Sequence, residues 1–444
     1  MVINETTSSP ETSVSLARRI ITHLGQSGTP PEYGVEWYTV GLDEYLEPLR
    51  KEYLELMIPE GVSSFKLVIG SYGGGKTHFL YCVRDLALNL GFAVAYVPLS
   101  PAECPFNQMD AVYRTIMANI AFPRNETHDL LDAITHRGIE AYLRYSTSAM
   151  LQRLNLPVTE TLENPEPLQA LFKTFVGIES SSFARAMKEA VIALATGNEE
   201  RFLTLVQWLK GEKIQSETLR DLQIVENLDQ RSAFRMIRSL AQWNRQMGLQ
   251  GTVILFDEAE RAISLQATRQ VMAALDHLRQ WIDECGQGRF PGVLTLYAVP
   301  DETMLLDRPG PSYEALRQRL HTVFSRMEPT GVKIYLERLH LDPRAFLLEL
   351  GQRLLDIYQR AYEILLPPEL TPRNIEVLAD QVYRLRYADI SYRRLFVTSL
   401  IPLLHHMRED PHFILDPEQA EQWVVQRYAA LDARPVKDSD EHEF

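Results

Sequence analysis

Cysteine is scarce in this sequence, and the few cysteines lack the spacing of a metal or disulfide site. The three among 444 residues are Cys82, Cys104 and Cys285, and none belongs to a C-x-x-C pair. Zinc sites and disulfide frameworks depend on such pairs or on a high density of cysteine. We therefore expect neither kind of site and interpret the three thiols as buried and neutral.

Long apolar runs are also missing. No uninterrupted apolar stretch approaches the roughly 18 residues that a transmembrane helix requires. The polar residues 1–13 lack the basic and apolar parts of a signal peptide. We therefore expect a cytoplasmic protein that has no membrane partner.

The sequence has no excess of basic residues. Its formal net charge is -14 and its pI is about 5.4. Affinity for nucleic acids comes largely from neutralising phosphates with lysine and arginine, so the surface as a whole is a poor candidate for binding DNA. Any DNA contact is expected to be local or supplied by a partner.

An apolar run, residues 65–69, leads directly into a phosphate-binding pattern. Residues 70–77 have the form G-x-x-x-x-G-K-T, and a helical pattern follows them. Glycines permit positive φ and leave backbone N–H groups open to phosphates, while the start of the following helix directs its positive end toward them. The predicted nucleotide-binding residues are Gly70, Ser71, Tyr72, Gly73, Gly74, Gly75, Lys76, Thr77 and His78.

Two side chains of this P-loop pattern carry specific chemistry. Lys76 is expected to contact the β and γ phosphate oxygens, and the Thr77 hydroxyl to ligate Mg²⁺. The sequence contains no N-K-x-D pattern for guanine recognition. ATP with Mg²⁺ is therefore the predicted ligand pair, in preference to GTP.

A second apolar strand, residues 252–256, ends in the acids Asp257 and Glu258. This is the Walker B form, in which Asp257 holds the Mg²⁺ shell and Glu258 polarises the attacking water. The glutamate favours hydrolysis over binding alone. The alternative is a buried strand followed by a helix N-terminus, where acids are also favoured.

The tetrapeptide at residues 257–260 is similar to that of DEAD-like helicases. Such a helicase should carry an arginine-rich HRxGRxxR-like motif downstream, in a second RecA-like domain. The partial match at residues 136–138 is incomplete and lies upstream. We therefore set that class aside.

Apolar strands alternate with helical patterns near the beginning of the chain and again around the second acidic strand, which predicts an α/β fold with a parallel sheet flanked by helices. The stretch between these parts has only helical periodicity, and three helices follow the last strand. The predicted divisions are a disordered start (1–14), an ATPase core (15–124 and 223–336), a helical insertion (125–222), a helical lid (337–430) and an acidic disordered tail (431–444).

This arrangement resembles AAA+ ATPases of the initiator-like branch and, more narrowly, the ATP-binding proteins of bacterial BREX anti-phage systems, the BrxD-like family. The resemblance runs over nearly the whole chain. It implies an AAA+-type sheet with a large helical insertion and a C-terminal lid. The segments that carry it are Ala17-Arg18-Arg19-Ile20, Val40-Gly41, the P-loop with Tyr72 and His78, residues 99–105, and Trp208-Leu209-Lys210-Gly211-Glu212.

The resemblance also implies a homo-oligomer in which an arginine of a neighbouring subunit stabilises charge at the reacting phosphate. Arg317, Arg319 and Arg326 precede the last predicted strand, where the family places such an arginine finger. We favour Arg326, with Arg319 as the next candidate. A solvated helix face that carries arginines is the alternative.

Two sensor positions follow from the same resemblance. Arg394 matches by placement the lid arginine that contacts the γ-phosphate, although Arg393 could exchange with it and surface pairing is an alternative. The polar residue expected at the end of the strand after Asp257 is not evident, unless Thr295 or Asp301 serves. This departure favours a regulated or slow ATPase as much as a fast motor.

The leading functional prediction is a Mg²⁺-dependent ATPase whose turnover changes contacts within a BREX-like defence assembly. A second hypothesis is an ATP-gated oligomeric scaffold with little intrinsic turnover. A third is DNA remodelling together with a helicase partner, which the resemblance suggests and the acidic charge opposes. A P-loop small-molecule kinase is a more distant alternative.

Overall fold

The computed structural model describes residues 10–123, 130–158, 160–259, 268–306, 311–338, 341–385 and 391–432. Most of the predicted disordered start and tail, together with Glu260 of the acidic tetrapeptide, lies outside these described residues. The first helix begins at Pro10, inside the segment that the sequence predicts to be disordered. Within the described part of the chain, no helix is both long enough and apolar enough to cross a bilayer.

A six-stranded sheet confirms the predicted α/β fold. The strands are β1 (Ser64–Ile69), β2 (Ala93–Pro98), β3 (Ile120–Ala121), β4 (Thr252–Asp257), β5 (Val293–Val299) and β6 (Lys333–Tyr335). Their order is β3-β2-β4-β5-β1-β6. Pairing between β2 and β4, β4 and β5, and β5 and β1 is parallel, whereas β3 pairs antiparallel with β2. The antiparallel edge strand was not predicted, because two residues show no periodicity.

The register of the central strands places β5 between β1 and β4. Val68 pairs with Ala298, and Phe256 pairs with Tyr297. Because the three strands are parallel, their carboxyl ends lie at the same edge of the sheet. Every residue of β4 and β5 is buried, which accounts for the nearly continuous apolar character of these strands.

Helices account for most of the remaining described residues. They are α1 (Pro10–Ser27), α2 (Asp43–Pro48), α3 (Lys76–Asn89), α4 (Met109–Asn119), α5 (Leu130–Thr135), α6 (Ile139–Arg153), α7 (Glu166–Lys173), α8 (Ser181–Ala195), α9 (Glu199–Leu209), α10 (Ser216–Asp221), α11 (Ala233–Gln246), α12 (Thr268–Gly286), α13 (Thr303–Leu306), α14 (Pro311–Arg319), α15 (Pro343–Tyr362), α16 (Leu370–Arg384), α17 (Tyr392–Glu409) and α18 (Pro417–Asp432). A π-helix, Leu49–Met57, continues α2, and a short 3₁₀-helix spans Val35–Trp37.

The chain divides into two compact units. The first unit contains residues 1–43, 70–81 and 335–444, and the second contains residues 44–69 and 82–334. The predicted core, insertion and lid use other boundaries and stay a prediction.

In the first unit, α1 packs against α15 and α17. The Arg18 Nε donates to the backbone oxygen of Ala361 at 2.7 Å and so ties α1 to the last turn of α15. The side chain of Asp342 caps α15 by accepting from the backbone N–H groups of Arg344 and Ala345. Helix α18 was not predicted, although Asp416 precedes it and accepts from two of its N–H groups in the same manner.

The second unit contains strands β1 to β5 of the sheet. Trp281 of α12 is fully buried, and its ring meets Phe256 of β4 edge to face at 5.1 Å. The described residues from 130 to 222 form six helices and no strand, in agreement with a helical insertion. Leu209 lies at the end of α9, where its backbone oxygen accepts from the buried Tyr113 hydroxyl of α4 at 2.9 Å. The segment around Trp208 therefore has a packing role.

All three cysteines are free and buried, as expected. Burial raises the pKa of the Cys104 thiol to about 11 and that of the Cys285 thiol to about 12. Both groups are therefore neutral at physiological pH.

Lys66 is an unusual member of β1, because it is 1% exposed and lies between the apolar residues Phe65 and Leu67. Its Nζ donates to the Tyr53 hydroxyl at 2.7 Å and to the backbone oxygen of Gly331 at 2.5 Å. Among the described residues it has no carboxylate partner. Burial away from water therefore lowers the pKa of Lys66 to about 7.

This pKa predicts a pH-dependent stability. An unfolded chain keeps the Lys66 proton up to about pH 10.4. The cost of the buried charge is thus fully present below the folded pKa and is relieved as the pH rises through it. Relative to Lys66→Met, the free energy of unfolding should rise by about 1 kcal/mol per pH unit between about pH 7.5 and about pH 9.5. Denaturant unfolding of both proteins across this range is the measurement, and parallel pH profiles would contradict the prediction.

Candidate functional site

The P-loop connects β1 to α3 and belongs to the first unit. Gly73 and Gly75 have φ angles of 75° and 97°, the region that favours glycine. A Cβ atom on Gly73 would lie 2.9 Å from the Cβ atom of Ser391, the residue before α17. The glycine pattern therefore allows both the backbone conformation and the close approach of α17.

Lys76 is bonded to the backbone of its own loop. Its Nζ donates to the backbone oxygens of Gly70 at 2.8 Å and Ser71 at 3.2 Å, and the residue is 8% exposed. The same Nζ lies 5.2 Å from the ring centroid of Tyr72, which is 65% exposed. The ammonium group thus lies inside the loop, where a phosphate oxygen could replace a carbonyl oxygen as its acceptor.

His78 follows Thr77 in the first turn of α3. Its Nε2 is 2.8 Å from the Thr39 hydroxyl, and its ring centroid is 4.9 Å from that of Tyr38. Desolvation, with a smaller contribution from the charge of Arg393, lowers the pKa of His78 to about 4. The imidazole is therefore neutral at physiological pH, and in the structure it joins α3 to the segment before α2.

Two adjacent arginines at the start of α17 have different contacts. Arg393 donates through Nη1 to the backbone oxygen of Gly74 at 2.7 Å and through Nη2 to that of Leu336 at 3.0 Å. Arg394 donates through Nε and Nη2 to the backbone oxygen of Ser27 at 3.1 and 2.9 Å. The structure therefore brings Arg393 to the P-loop and places Arg394 against the end of α1. A γ-phosphate role for either arginine stays a prediction.

One carboxylate also contacts the P-loop. The backbone N–H of Ser71 donates to Glu337 Oε1 at 2.8 Å. Glu337 follows β6 and is exposed. Sequence patterns did not indicate this contact.

In the second unit, Asp257 is the last residue of β4 and is 1% exposed. Its Oδ2 accepts from the Tyr96 hydroxyl of β2 at 2.6 Å, and its Oδ1 accepts from the backbone N–H of Glu258 at 2.8 Å. Both oxygens of the carboxylate are therefore held in one orientation. An oriented carboxylate oxygen is the kind of ligand that Mg²⁺ takes alongside phosphate oxygens and waters, so the site fits this ion.

Glu258 has a φ angle of 55°, which is uncommon for a residue other than glycine. The turn follows directly after β4 and leaves the residue half-buried. Such backbone conformations cost free energy and often occur at functional sites. At Glu258 the backbone therefore leaves the extended conformation of β4, directly after the oriented carboxylate of Asp257.

The arginine-finger candidates lie in three different environments of the second unit. Arg319 forms a bidentate ion pair with Asp283 at 2.6 and 3.0 Å, and Arg317 donates to the backbone oxygen of Leu306. Arg326 is exposed, and the described residues provide it with no ion-pair partner. Arg317 is exposed as well, so what distinguishes Arg326 is an exposed side chain without a hydrogen-bond partner among the described residues.

The two sensor 1 candidates also differ. Thr295 is fully buried within β5, and its hydroxyl accepts from Trp281 Nε1 at 3.0 Å. Asp301 is exposed beyond the carboxyl end of β5 and accepts from the backbone N–H of Thr303. Only Asp301 lies past the end of the strand, where a sensor is expected.

Comparison with known proteins supports the prediction of the family. The family model described as "BREX system ATP-binding protein BrxC/D" matches residues 13–422. No curated protein and no solved structure matches the chain.

We expect Arg393→Ala to loosen the P-loop, since it removes a charged donor from the Gly74 carbonyl. A hydrogen bond to a charged group contributes about 1.5 to 3 kcal/mol, so amide exchange over residues 73–77 should accelerate about tenfold or more. Hydrogen–deuterium exchange without nucleotide measures this effect. Arg394→Ala is the matched control, because its lost bonds end at Ser27. Equal exchange rates in the two variants would contradict the assignment.

Proposed function

The chain belongs to the family of BREX system ATP-binding proteins BrxC/D, and on that basis we propose that it is a Mg²⁺-dependent ATPase acting in a BREX defence assembly. The observation that carries the proposal is the pair of acids at the end of β4. Asp257 is buried with both oxygens oriented, and Glu258 follows it in a strained backbone conformation. Binding of a nucleotide alone does not require this second acid.

We infer that Lys76 exchanges its carbonyl acceptors for phosphate oxygens when ATP binds. In the structure its Nζ donates to the backbone oxygens of Gly70 and Ser71. A phosphate oxygen carries more negative charge than a carbonyl oxygen and makes a stronger acceptor for an ammonium group. Gly73 is exposed and has no side chain that would obstruct the incoming phosphates.

The acids supply the chemistry of hydrolysis. Asp257 would hold the metal shell together with the Thr77 hydroxyl, and Glu258 would orient and polarise the attacking water. A bound Mg²⁺ neutralises the charge that develops on the transferred phosphoryl group. Tyr96 acts on this step only through Asp257, whose Oδ2 it fixes.

We further propose that the active form is a homo-oligomer in which Arg326 of one copy reaches the nucleotide of another. The exposure of its guanidinium supports this choice over Arg319, which is engaged by Asp283. Other proteins of the BREX system, including a helicase, are the proposed partners. DNA would then be contacted locally or through such a partner, since the net charge is -14.

A nucleotide-gated scaffold with little turnover is the second candidate. The contacts of Arg393 with Gly74 and of Glu337 with Ser71 favour it, because they connect the P-loop to the C-terminal part of the same unit. Binding of ATP would replace or rearrange such contacts and could change the surface of that unit without hydrolysis.

Substitution of Glu258 separates the two candidates. In an ATPase, Glu258→Gln keeps ATP affinity and abolishes phosphate release, whereas Lys76→Ala weakens ATP binding about 10- to 100-fold by removing a charge-assisted contact. The measurements are phosphate release and thermal-shift titration with ATP and Mg²⁺. Glu160→Gln, at an exposed glutamate, is the control with the same change of charge. Unchanged turnover in Glu258→Gln would refute the role of this residue.

Tyr96→Phe tests the orientation of Asp257. Loss of the hydroxyl leaves Oδ2 without this donor, and changes in such outer partners typically reduce metal affinity about 10-fold or more. We expect the Mg²⁺ concentration for half-maximal ATP hydrolysis to rise accordingly at saturating ATP. Tyr113→Phe removes another buried hydroxyl, one that bonds to Leu209, and should leave the Mg²⁺ dependence unchanged. A Tyr96→Phe protein with the Mg²⁺ profile of the natural sequence would exclude this role.

A further inference from the structure

The exposed Arg326 lies in a tight turn of the second unit, residues 325–331, between α14 and β6. We call this segment the Arg326 turn. The backbone N–H of Ser325 donates to the backbone oxygen of Glu328 at 3.2 Å, and the N–H of Glu328 donates to the oxygen of Ser325 at 3.1 Å. Next to Arg326, Met327 is 94% exposed. The turn therefore projects a cation and an apolar side chain at its tip.

The base of the Arg326 turn is closely packed. A Cβ atom on Gly331 would lie 2.1 Å from the backbone oxygen of Val323, so no other residue fits this backbone course. The backbone N–H of Phe324 donates to the oxygen of Lys333 at 2.7 Å and closes the turn at its base. The chain thus returns on itself over a few residues with little freedom at the base.

Lys66 of β1 forms hydrogen bonds with the base of the Arg326 turn. Its Nζ donates to the backbone oxygens of Gly331 at 2.5 Å and Pro329 at 3.3 Å and to the Tyr53 hydroxyl at 2.7 Å. The Tyr53 hydroxyl in turn donates to the oxygen of Pro329 at 2.7 Å. When Lys66 is protonated, the three hydrogens of its ammonium group match three acceptors, two of which belong to the Arg326 turn.

Two aromatic rings complete the surroundings of the charge. The Lys66 Nζ lies 4.1 Å from the ring centroid of Tyr53 and 4.8 Å from that of Phe324. Cation–π attraction offsets part of the cost of removing the ammonium group from water. A methionine would fill similar space without that cost, so what the lysine adds is a set of directed hydrogen bonds to the turn.

We propose that Lys66 is a positioning residue for ATP hydrolysis: it fixes the Arg326 turn so that Arg326 reaches the nucleotide of a second copy of the chain. This inference rests on the proposed function, because it presupposes an ATPase with a shared site. Lys66 touches neither nucleotide nor metal in this role. A guanidinium that stabilises transition-state charge must be held in place, and misplacement by about 1 Å can cost about 100-fold in rate.

The test uses Lys66→Met in the full chain. We expect ATP affinity to be retained and kcat to fall about 100-fold, as for Arg326→Ala. A subunit of either variant has an intact P-loop and intact acids but no working finger. Glu258→Gln has the opposite defect, since it lacks turnover and keeps the Arg326 turn. Mixing Lys66→Met with Glu258→Gln should therefore restore turnover well above the sum of the two variants measured alone.

A mixture of Lys66→Met with Arg326→Ala serves as the control, because both lack a working finger and should not complement each other. Tyr53→Phe is a second variant that keeps the ring and removes the hydroxyl shared by Lys66 and Pro329. It should show the same pattern with a smaller loss, and it carries the test if Lys66→Met does not fold.

The outcomes separate the two proposals. Wild-type turnover in Lys66→Met, or a loss that Glu258→Gln does not complement while it complements Arg326→Ala, would overturn the positioning role and leave the ATPase standing. Absence of turnover in the natural sequence at every concentration would overturn the proposed function and this inference together.

Discussion

The conformation of the P-loop depends on hydrogen bonds between its backbone and charged side chains of the same unit. Lys76 donates to the carbonyls of Gly70 and Ser71, Arg393 donates to that of Gly74, and Glu337 accepts from the N–H of Ser71. Arg393 and Ser391, the residue that approaches Gly73, both lie at the N-terminal end of α17, so this end of the helix makes both contacts with the P-loop.

Two buried charged residues of the second unit, Asp257 and Lys66, form hydrogen bonds with neutral groups. Asp257 is fixed by a hydroxyl and a backbone N–H, and Lys66 by a hydroxyl and two backbone oxygens. Neutral partners give a charged group a direction. Those of Asp257 fix its two carboxylate oxygens, and those of Lys66 direct its hydrogen bonds to the Arg326 turn. Burial away from water lowers the pKa of Lys66, and among the described residues no carboxylate partner opposes this shift.

Much of this arrangement could be predicted from the sequence, for physical reasons. The P-loop and β4 combine special backbone requirements with continuous apolar strands, and both leave clear patterns. Strand β3 has only two residues and therefore leaves no recognisable pattern in the sequence. Arg393 and Arg394 are neighbours in a helix, so which of them faces the P-loop depends on the helix phase relative to a distant loop. Pattern reasoning favoured Arg394, whereas the structure brings Arg393 to Gly74.

The contacts of Tyr96 and Lys66 were not predicted, because their partners are far away in sequence. Tyr96 bonds to Asp257 across neighbouring strands, and Lys66 bonds to residues of two separate segments. One signal was nevertheless present in each case. A lysine inside the apolar run of residues 65–69 is expensive to bury without acceptors, and a tyrosine hydroxyl within a buried strand requires a partner. Polar groups that interrupt apolar strands therefore point to buried networks even where they cannot identify the partner.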